Sequence, residues 1–260
     1  MELDVGQAIV LGPGEGAKAL LDELTVTVAR AQSGATPHVH REHVDVFYVL
    51  EGTLVFADAE LGAGDVGYAP PGTAHWFDRD GGWFFNIHAP GAAYKHRAIA
   101  RSEGRRVDGA TIDTFDAPEG ASAGPVVVRN GEGEQLANEM RTITFKITRP
   151  ELCLFEFDAG AGASGPVPHV HRRHVDAFYV LEGVLEFWLD GATHRADAGT
   201  FVAAPPGTPH TFKNTSGERV RFLNVHAPGM EYDEYFRRQA AGESGRDFHA
   251  SFDSYDAEVA

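Results

Sequence analysis

The chain carries the same message twice, and this constrains its fold more than any other feature. PHVHREHVDVFYVLEG begins at Pro37, and PHVHRRHVDAFYVLEG begins at Pro168, 131 residues later. APPGTAHWF from Ala69 matches APPGTPHTF from Ala204, and NIHAPG from Asn86 matches NVHAPG from Asn224. Weaker echoes lie outside these: IVLGPGEGAKAL at Ile9 with VVVRNGEGEQLA at Val126, and DTFDA at Asp113 with DSYDA at Asp253. A message repeated at this length predicts one module folded twice. The boundary falls in the small, turn-rich stretch Glu119–Gly124, giving domains 1–120 and 121–260. The first echo precedes the histidine motif by 14 more residues in the second half, which predicts an added hairpin around Ile143 to Asp158.

Within each half the pattern is that of strands. Leu24 to Ala29 alternates apolar and polar residues, and Asp45 to Glu51 is rich in β-branched and aromatic side chains. Glu51-Gly52 and Glu182-Gly183 mark tight turns into Thr53–Phe56 and Val184–Leu189, and each Pro-Pro-Gly marks another. With 30 Gly and 14 Pro among 260 residues, short strands between many turns predict an all-β barrel or sandwich. Ala92–Arg101 and Glu231–Ala241 read as short packing helices, the second with Tyr232, Tyr235 and Phe236 on one face. The end of the chain, with Asp247, Asp253, Asp256 and Glu258, reads as a solvated acidic tail of which the DSYDA echo packs in part.

Charge narrows the partners. There are 22 Lys and Arg against 38 Asp and Glu, a net charge of −16, so neither nucleic acid nor an anionic membrane is an expected partner. A single cysteine, Cys153, excludes an internal disulfide framework and a thiolate zinc site. With no apolar run of bilayer length and no basic leader pattern, a cytoplasmic protein is expected.

The histidines carry the chemistry. His38 and His40 stand two apart, so on a strand they share a face. Asp45 follows after a turn, and His75 follows the Pro-Pro-Gly turn; His169, His171, Asp176 and His210 hold the same relative places. Burying three imidazoles and a carboxylate together is costly without a partner, and a divalent cation is the natural one. His43 and His174 read either as exposed turn residues or as alternative ligands. His88 and His226 read either as strand-end caps or as inward donors in acid–base chemistry. Imidazole and carboxylate without thiolate suit Fe, Mn, Ni, Co, Cu or Zn. Among the basic residues near the motifs (Arg41, Arg79, Arg172, Arg173 and Lys213), no phosphate clamp is evident.

These motifs resemble those of the cupin superfamily, G-x5-H-x-H-x(3,4)-E-x6-G and G-x5-P-x-G-x2-H-x3-N. His38, His40, Asp45 and Gly52 follow the first motif, as do His169, His171, Asp176 and Gly183, with Asp in place of Glu in both. Gly64, Pro70, Gly72 and His75 follow the second, with Arg79 in place of Asn; Gly199, Pro205, Gly207, His210 and Asn214 complete it. The resemblance implies two tandem double-stranded β-helix (jelly-roll) barrels with short C-terminal helices, a divalent transition metal in one or both, and a compact monomer or a homodimer. It leaves open whether the shorter Asp45 and Asp176 ligate directly, ligate through water, or leave a three-His site.

The chain is also similar to quercetin 2,3-dioxygenase-like bicupins. This implies a metal-dependent dioxygenase, an oxidoreductase acting on a small aromatic or enolisable molecule, with Asp45, Asp176, His88 or His226 moving the proton. A metal-assisted isomerase, cyclase or decarboxylase working without dioxygen is the second expectation. A non-catalytic small-molecule-binding cupin is the third. The second half follows the motifs more closely and is expected to carry more of the activity.

Overall fold

The computed structural model describes residues 8–30, 34–78, 81–119 and 124–257. Arg79, the boundary residues 120–123 and Glu258 lie outside the described residues. The chain forms two compact units: an N-terminal one of residues 15–132, and a C-terminal one of residues 1–14 with 133–260. Compared with the expected division at 120/121, each unit therefore takes an edge from the other half's sequence.

The first strand, β1 (Ile9–Leu11), belongs to the C-terminal unit. The N-terminal unit follows with β2 (Gly16–Leu20), β3 (Thr25–Arg30), β4 (Ala35–Val39), β5 (Val44–Glu51) and β6 (Thr53–Phe56). It continues through β7 (Ala59–Gly62), β8 (Val66–Ala69), β9 (His75–Asp78), β10 (Trp83–Ala89), helix α1 (Ala92–Ser102), β11 (Phe115–Asp116) and β12 (Val126–Val128). These strands form a six-stranded sheet, β12-β8-β5-β10-β3-β2, and a five-stranded sheet, β11-β4-β9-β6-β7.

The C-terminal unit adds β13 (Gln135–Ala137), β14 (Arg141–Thr148), β15 (Cys153–Ala159), β16 (His169–Val170), β17 (Val175–Glu182) and β18 (Val184–Leu189). Then come β19 (Ala192–Asp197), β20 (Phe201–Ala204), β21 (His210–Lys213), β22 (Val220–Ala227), helices α2 (Tyr232–Ala240) and α3 (Arg246–Ser251), and β23 (Tyr255–Asp256). Its sheets are β1-β20-β17-β22-β15-β14-β13 and β19-β18-β21-β16-β23. Every pairing is antiparallel, and each unit is a two-sheet jelly-roll barrel, as expected.

The predicted hairpin at Ile143–Asp158 is not the insertion. Those residues form most of β14 and β15, and both have counterparts in the first half. Ala17 faces Thr27 across β2 and β3 as Phe145 faces Phe155 across β14 and β15, and a bulge follows in each ladder. Most of the extra length lies ahead of β14, where β13 adds a seventh strand to the sheet. Sequence similarity placed the gap late because β14 and β2 share geometry but few residue types.

The barrels fill with aromatic side chains from alternating strand positions. Leu185, Phe187 and Leu189 of β18 point inward while their neighbours are part-exposed, the period-two signature of a half-buried strand. Phe47, Leu54 and Phe56 fill the N-terminal barrel; Phe155, Phe178, Phe187 and Phe222 fill the C-terminal one. The turn at Gly183 needs glycine, because its φ is 80° and a Cβ there would lie 2.7 Å from the Arg219 carbonyl oxygen. The two expected helices form. The expected solvated tail does not: α3 packs Phe248 into the core and β23 pairs with β16, because Phe248 and Phe252 carry enough apolar surface to hold the segment down.

Candidate metal centres

One set of side chains gathers at one end of each barrel. β5 and β17 bring Asp45 and Asp176 beside the histidines of the β4 and β16 turns, and β9 and β21 bring His75 and His210. His169 pairs directly with His210 across the ladder, as His38 does with His75. The four residues expected in each half therefore meet: His38, His40, Asp45 and His75 in one barrel, His169, His171, Asp176 and His210 in the other.

The orientation of the rings decides what they can do. His38 Nδ1 donates to the Thr36 carbonyl at 2.8 Å, His40 Nδ1 to that of Asp113 at 2.7 Å, and His75 Nδ1 to that of Thr73 at 2.9 Å. His169 Nδ1 donates to Val167 at 3.1 Å, His171 Nδ1 to Asp253 at 2.9 Å, and His210 Nδ1 to Thr208 at 2.9 Å. Each neutral ring thus keeps its proton on the outer nitrogen and turns an Nε2 lone pair inward. This is the second-sphere arrangement that fixes a metal-ligating imidazole. The Nε2 atoms of His75 and His171 are buried without a hydrogen-bond partner.

The carboxylates reach the same point. Asp45 Oδ2 lies 3.4 Å from His75 Nε2 and 3.8 Å from His40 Nε2; Asp176 Oδ2 lies 3.2 Å from His210 Nε2 and 3.7 Å from His171 Nε2. Two donors on one ion with bonds of about 2.1 Å stand about 3.0–3.4 Å apart. The donor set thus fits a divalent cation with the carboxylate in direct reach, despite its missing methylene. Asn86 Nδ2 donates to Asp45 Oδ1 at 2.7 Å, and Asn224 Nδ2 to Asp176 Oδ1 at 2.5 Å, which holds the other oxygen away from the centre.

Electrostatics hold four of the donors, His38, His169, Asp45 and Asp176, toward their ligating forms. Burial pushes His38 down to about 4, assisted by His75, and pushes His169 well below its ordinary value, assisted by His210 and His171. Burial alone would raise the two carboxyls. The imidazoles outweigh it, His88 foremost at Asp45 and His226 foremost at Asp176, and hold both well below the usual carboxylate range. His75 runs the other way: burial lowers it, but the Asp45 contact prevails and raises it.

A second tier surrounds each centre. His43 and His174 are not exposed turn residues; they are 1% and 0% exposed and turn inward. His88 and His226 are inward too, each with Nε2 3.0 Å from the Asn86 or Asn224 side-chain oxygen. Tyr94 stacks on His88 at 3.8 Å and Tyr232 on His226 at 3.7 Å. In the C-terminal barrel His174 Nε2 lies 3.1 Å from His226 Nδ1, so the two rings are directly linked. His43 and His88 also group with His40, and His174 and His226 with His171, as a second set of facing donors.

Asp113 and Asp253 were missed as site residues. Asp253 is fully buried and accepts from the backbone N–H groups of Arg172 and Arg173 at 3.1 and 2.8 Å and from His174 Nδ1 at 2.9 Å. Asp113 repeats this on Arg41 and Glu42, with His43 Nδ1 at 2.8 Å but at an angle that makes no regular hydrogen bond. Each aspartate fixes two histidines of its cluster, one through its backbone carbonyl and one through its carboxylate. The signal was the DTFDA and DSYDA echo. Asn214, the last motif residue, instead ties the loop together through Gly160 and Glu218.

A cavity of about 670 Å³ opens onto the C-terminal centre, with His169, Asp176 and His226 in its lining and aromatic walls that include Phe178 and Phe212. A cavity of about 440 Å³ in the N-terminal unit is lined by Val39, Arg41, Thr73 and Phe115 and reaches none of that barrel's cluster residues.

Comparison with known proteins places these features in context. The cupin domain family matches residues 24–82 and 153–226, together just over half the chain. Quercetin 2,3-dioxygenase of Bacillus subtilis is 29% identical over 124 residues, 46% of this chain and 35% of that enzyme. An uncharacterized protein of Aquifex aeolicus is 34% identical over 65 residues, 25% of this chain and 53% of that protein. The chain thus matches about a third and about half of the lengths of these two relatives. Among solved structures, a variant of Bacillus subtilis oxalate decarboxylase superposes with a TM-score of 0.56 at 14% identity, covering 93% of this chain and 85% of that one. The same enzyme in a study of its Mn(II) centres gives 0.54 at 16% identity, covering 95% and 86%. Procruciferin, an 11S globulin of Brassica napus, gives 0.56 at 11% identity, covering 87% and 85%. At these identities the structural likeness is one of fold.

Proposed function

Because the chain belongs to the cupin family, with one such domain in each half, we propose that it is a metal-dependent enzyme acting on a small organic molecule, and that the C-terminal barrel is its working site. One observation carries the reading. In both barrels three imidazoles, each with its Nδ1 proton tied to a backbone carbonyl, present Nε2 to a carboxylate held in the ionised form. His169, His171, His210 and Asp176 would hold the ion there, and His38, His40, His75 and Asp45 in the other barrel. A bound divalent ion supplies Lewis acidity toward a hydroxyl or enol oxygen and, for a redox-active metal, access to dioxygen.

The chain's own residues do the rest. Phe178 and Phe212 exclude water from the cavity and favour a planar or apolar substrate body. Asp176 Oδ2 is the ionised acceptor within the cluster; on taking the substrate's hydroxyl proton it would leave the donor set to the three imidazoles. Asn224 holds the carboxylate by its other oxygen while it does so. The quercetin 2,3-dioxygenase relative favours dioxygenation of an enolisable aromatic substrate.

Elemental analysis of the purified protein, followed by oxygen uptake with a flavonol before and after chelation, tests this. Bound transition metal with chelator-sensitive uptake supports it. Product formed under strict anaerobiosis moves the assignment to a metal-assisted isomerase, cyclase or decarboxylase. Protein that neither carries nor takes up metal is a non-catalytic binding module, and the reading fails.

A further inference from the structure

Nothing in the sequence distinguishes Arg141, but its surroundings do. It opens β14 and lines the C-terminal cavity. The other arginines packed around this part of the unit pair with acids: Arg219 with Asp158, Arg221 with Glu156 and Glu182, Arg237 with Glu134 and Asp233. Arg141 has no carboxylate partner among the described residues. Its Nη2 donates to Gln239 Oε1 at 3.3 Å, and its guanidinium carbon lies 5.9 Å from the Phe157 ring centre. Gln239 is oriented in turn by donating to Tyr235 Oη at 3.2 Å. Burial pushes Arg141 below its ordinary value, the mark of a cation that has lost water without gaining an anion.

The cavity is therefore polarised. Its lining brings together Asp176, an ionised carboxylate, an arginine with only neutral partners, and several aromatic rings. A chain of net charge −16 repels anions in general, so a half-buried arginine without a carboxylate partner in a cleft is the feature that would admit one. The volume, about 670 Å³, sits within the range of small-molecule pockets and far exceeds what a two- or three-carbon acid fills.

We propose that the C-terminal cavity takes an organic carboxylate with an aromatic or extended apolar body, its anionic end bound by Arg141 and its reacting end turned to the His169–His171–Asp176–His210 cluster. The placement of the reacting end rests on the metal-centre reading above; the anchoring by Arg141 is independent of it. Gln239 acts as a positioning residue that keeps the guanidinium facing the cavity.

Calorimetric titration of the full chain with hydrocinnamate and with its uncharged amide tests the anchor. The acid should bind about tenfold more tightly than the amide. Arg141→Gln should reduce the acid to the affinity of the amide while leaving amide binding intact, and Arg141→Lys should restore part of the difference. Equal affinities for acid and amide in the unaltered protein, or binding of neither, would overturn the proposal without any variant. The same titration after chelation separates the two readings. A preference that survives metal removal places the carboxylate on Arg141, and one that vanishes places it on the ion and overturns this assignment. Metal content, measured on the same sample, judges the metal centre by itself.

Discussion

His210 and His75 are each held by one hydrogen bond and one carboxylate, so removing either ring deprives its barrel of one of four donors. His210→Ala and His75→Ala should each remove about half of the bound metal, read by elemental analysis. Because the cavity opens on the C-terminal centre, activity should fall at least about 100-fold in the first variant and much less in the second. Equal losses would refute the ranking of the barrels. Asp253 touches no candidate metal position, yet it holds His171 and His174. Asp253→Asn keeps the backbone carbonyl and loses the charge, so metal affinity should weaken about tenfold, measured by chelator competition. The sign of the pH response also follows from single residues. His38, His43 and His174 are lowered to about 4 by burial, against 6.5 in an unfolded chain. Between those values the unfolded state binds more protons, so their contribution is complete above 6.5 and is lost as pH falls toward 4. The lowered Asp45 and Asp176 extend the loss below 3.8. His75, raised by Asp45, opposes this with a contribution that fades as pH rises above 6.5, but it stands against three lowered rings. Metal-free protein should therefore melt at progressively lower temperature from pH 7 to about pH 4; a flat or rising Tm would contradict the burial of these rings.

Helix α2 shows how an element can serve packing and site together. Tyr232 is buried, stacks on His226, and leads a row with Tyr235 and Phe236 against the barrel. The helix starts after Met230 and Glu231, both at positive φ, an arrangement that swings Tyr232 over the ring. Tyr232→Ala should cost about 3–5 kcal/mol in urea denaturation, the range for deleting a buried aromatic. Tyr232→Phe keeps the stack and should cost less than about 1.5 kcal/mol. Similar losses in both variants would mean that the hydroxyl, 3.4 Å from His171 Nδ1, matters more than the ring. Beside the helix β13 and β14 extend the sheet, and β14 begins with Arg141, which donates to Gln239 of the helix. Among the described residues the first half has no equivalent of β13, and the second half frames its centre with this extended wall.

In each unit the barrel repeats one design down to the Nδ1 hydrogen bonds of its three ligand-type histidines, and its edge comes from outside its own repeat. β1 pairs with β20, and Ala8 and Val10 pack against the C-terminal core; β12 pairs with β8 in the N-terminal unit. Deleting residues 1–14 should thus destabilise the C-terminal unit by about 1–3 kcal/mol, seen as a lower Tm, while the N-terminal unit keeps its own. An unchanged Tm would show that the β1 ladder contributes nothing. Among the described residues no helix is long and apolar enough to cross a membrane.

The sequence by itself determined the barrel pair, the helices after each NxHAPG strand, and the four ligand-type residues in each half. Each of these is written in short-range periodicity or in a motif copied twice: i and i+2 on a strand share a face wherever that strand lies. It could not place the extra strand β13, because a gap in a repeat is located by residue identity whereas register is set by backbone pairing. It could not bury His43 and His174, whose turn would face solvent but for a carboxylate about 70 to 80 residues further on. Asp113, Asp253 and Arg141 gain their meaning from neighbours distant in the chain. Burial, an unpaired charge and the direction of a ring's proton are properties of a folded environment, and only the closing of each barrel creates that environment.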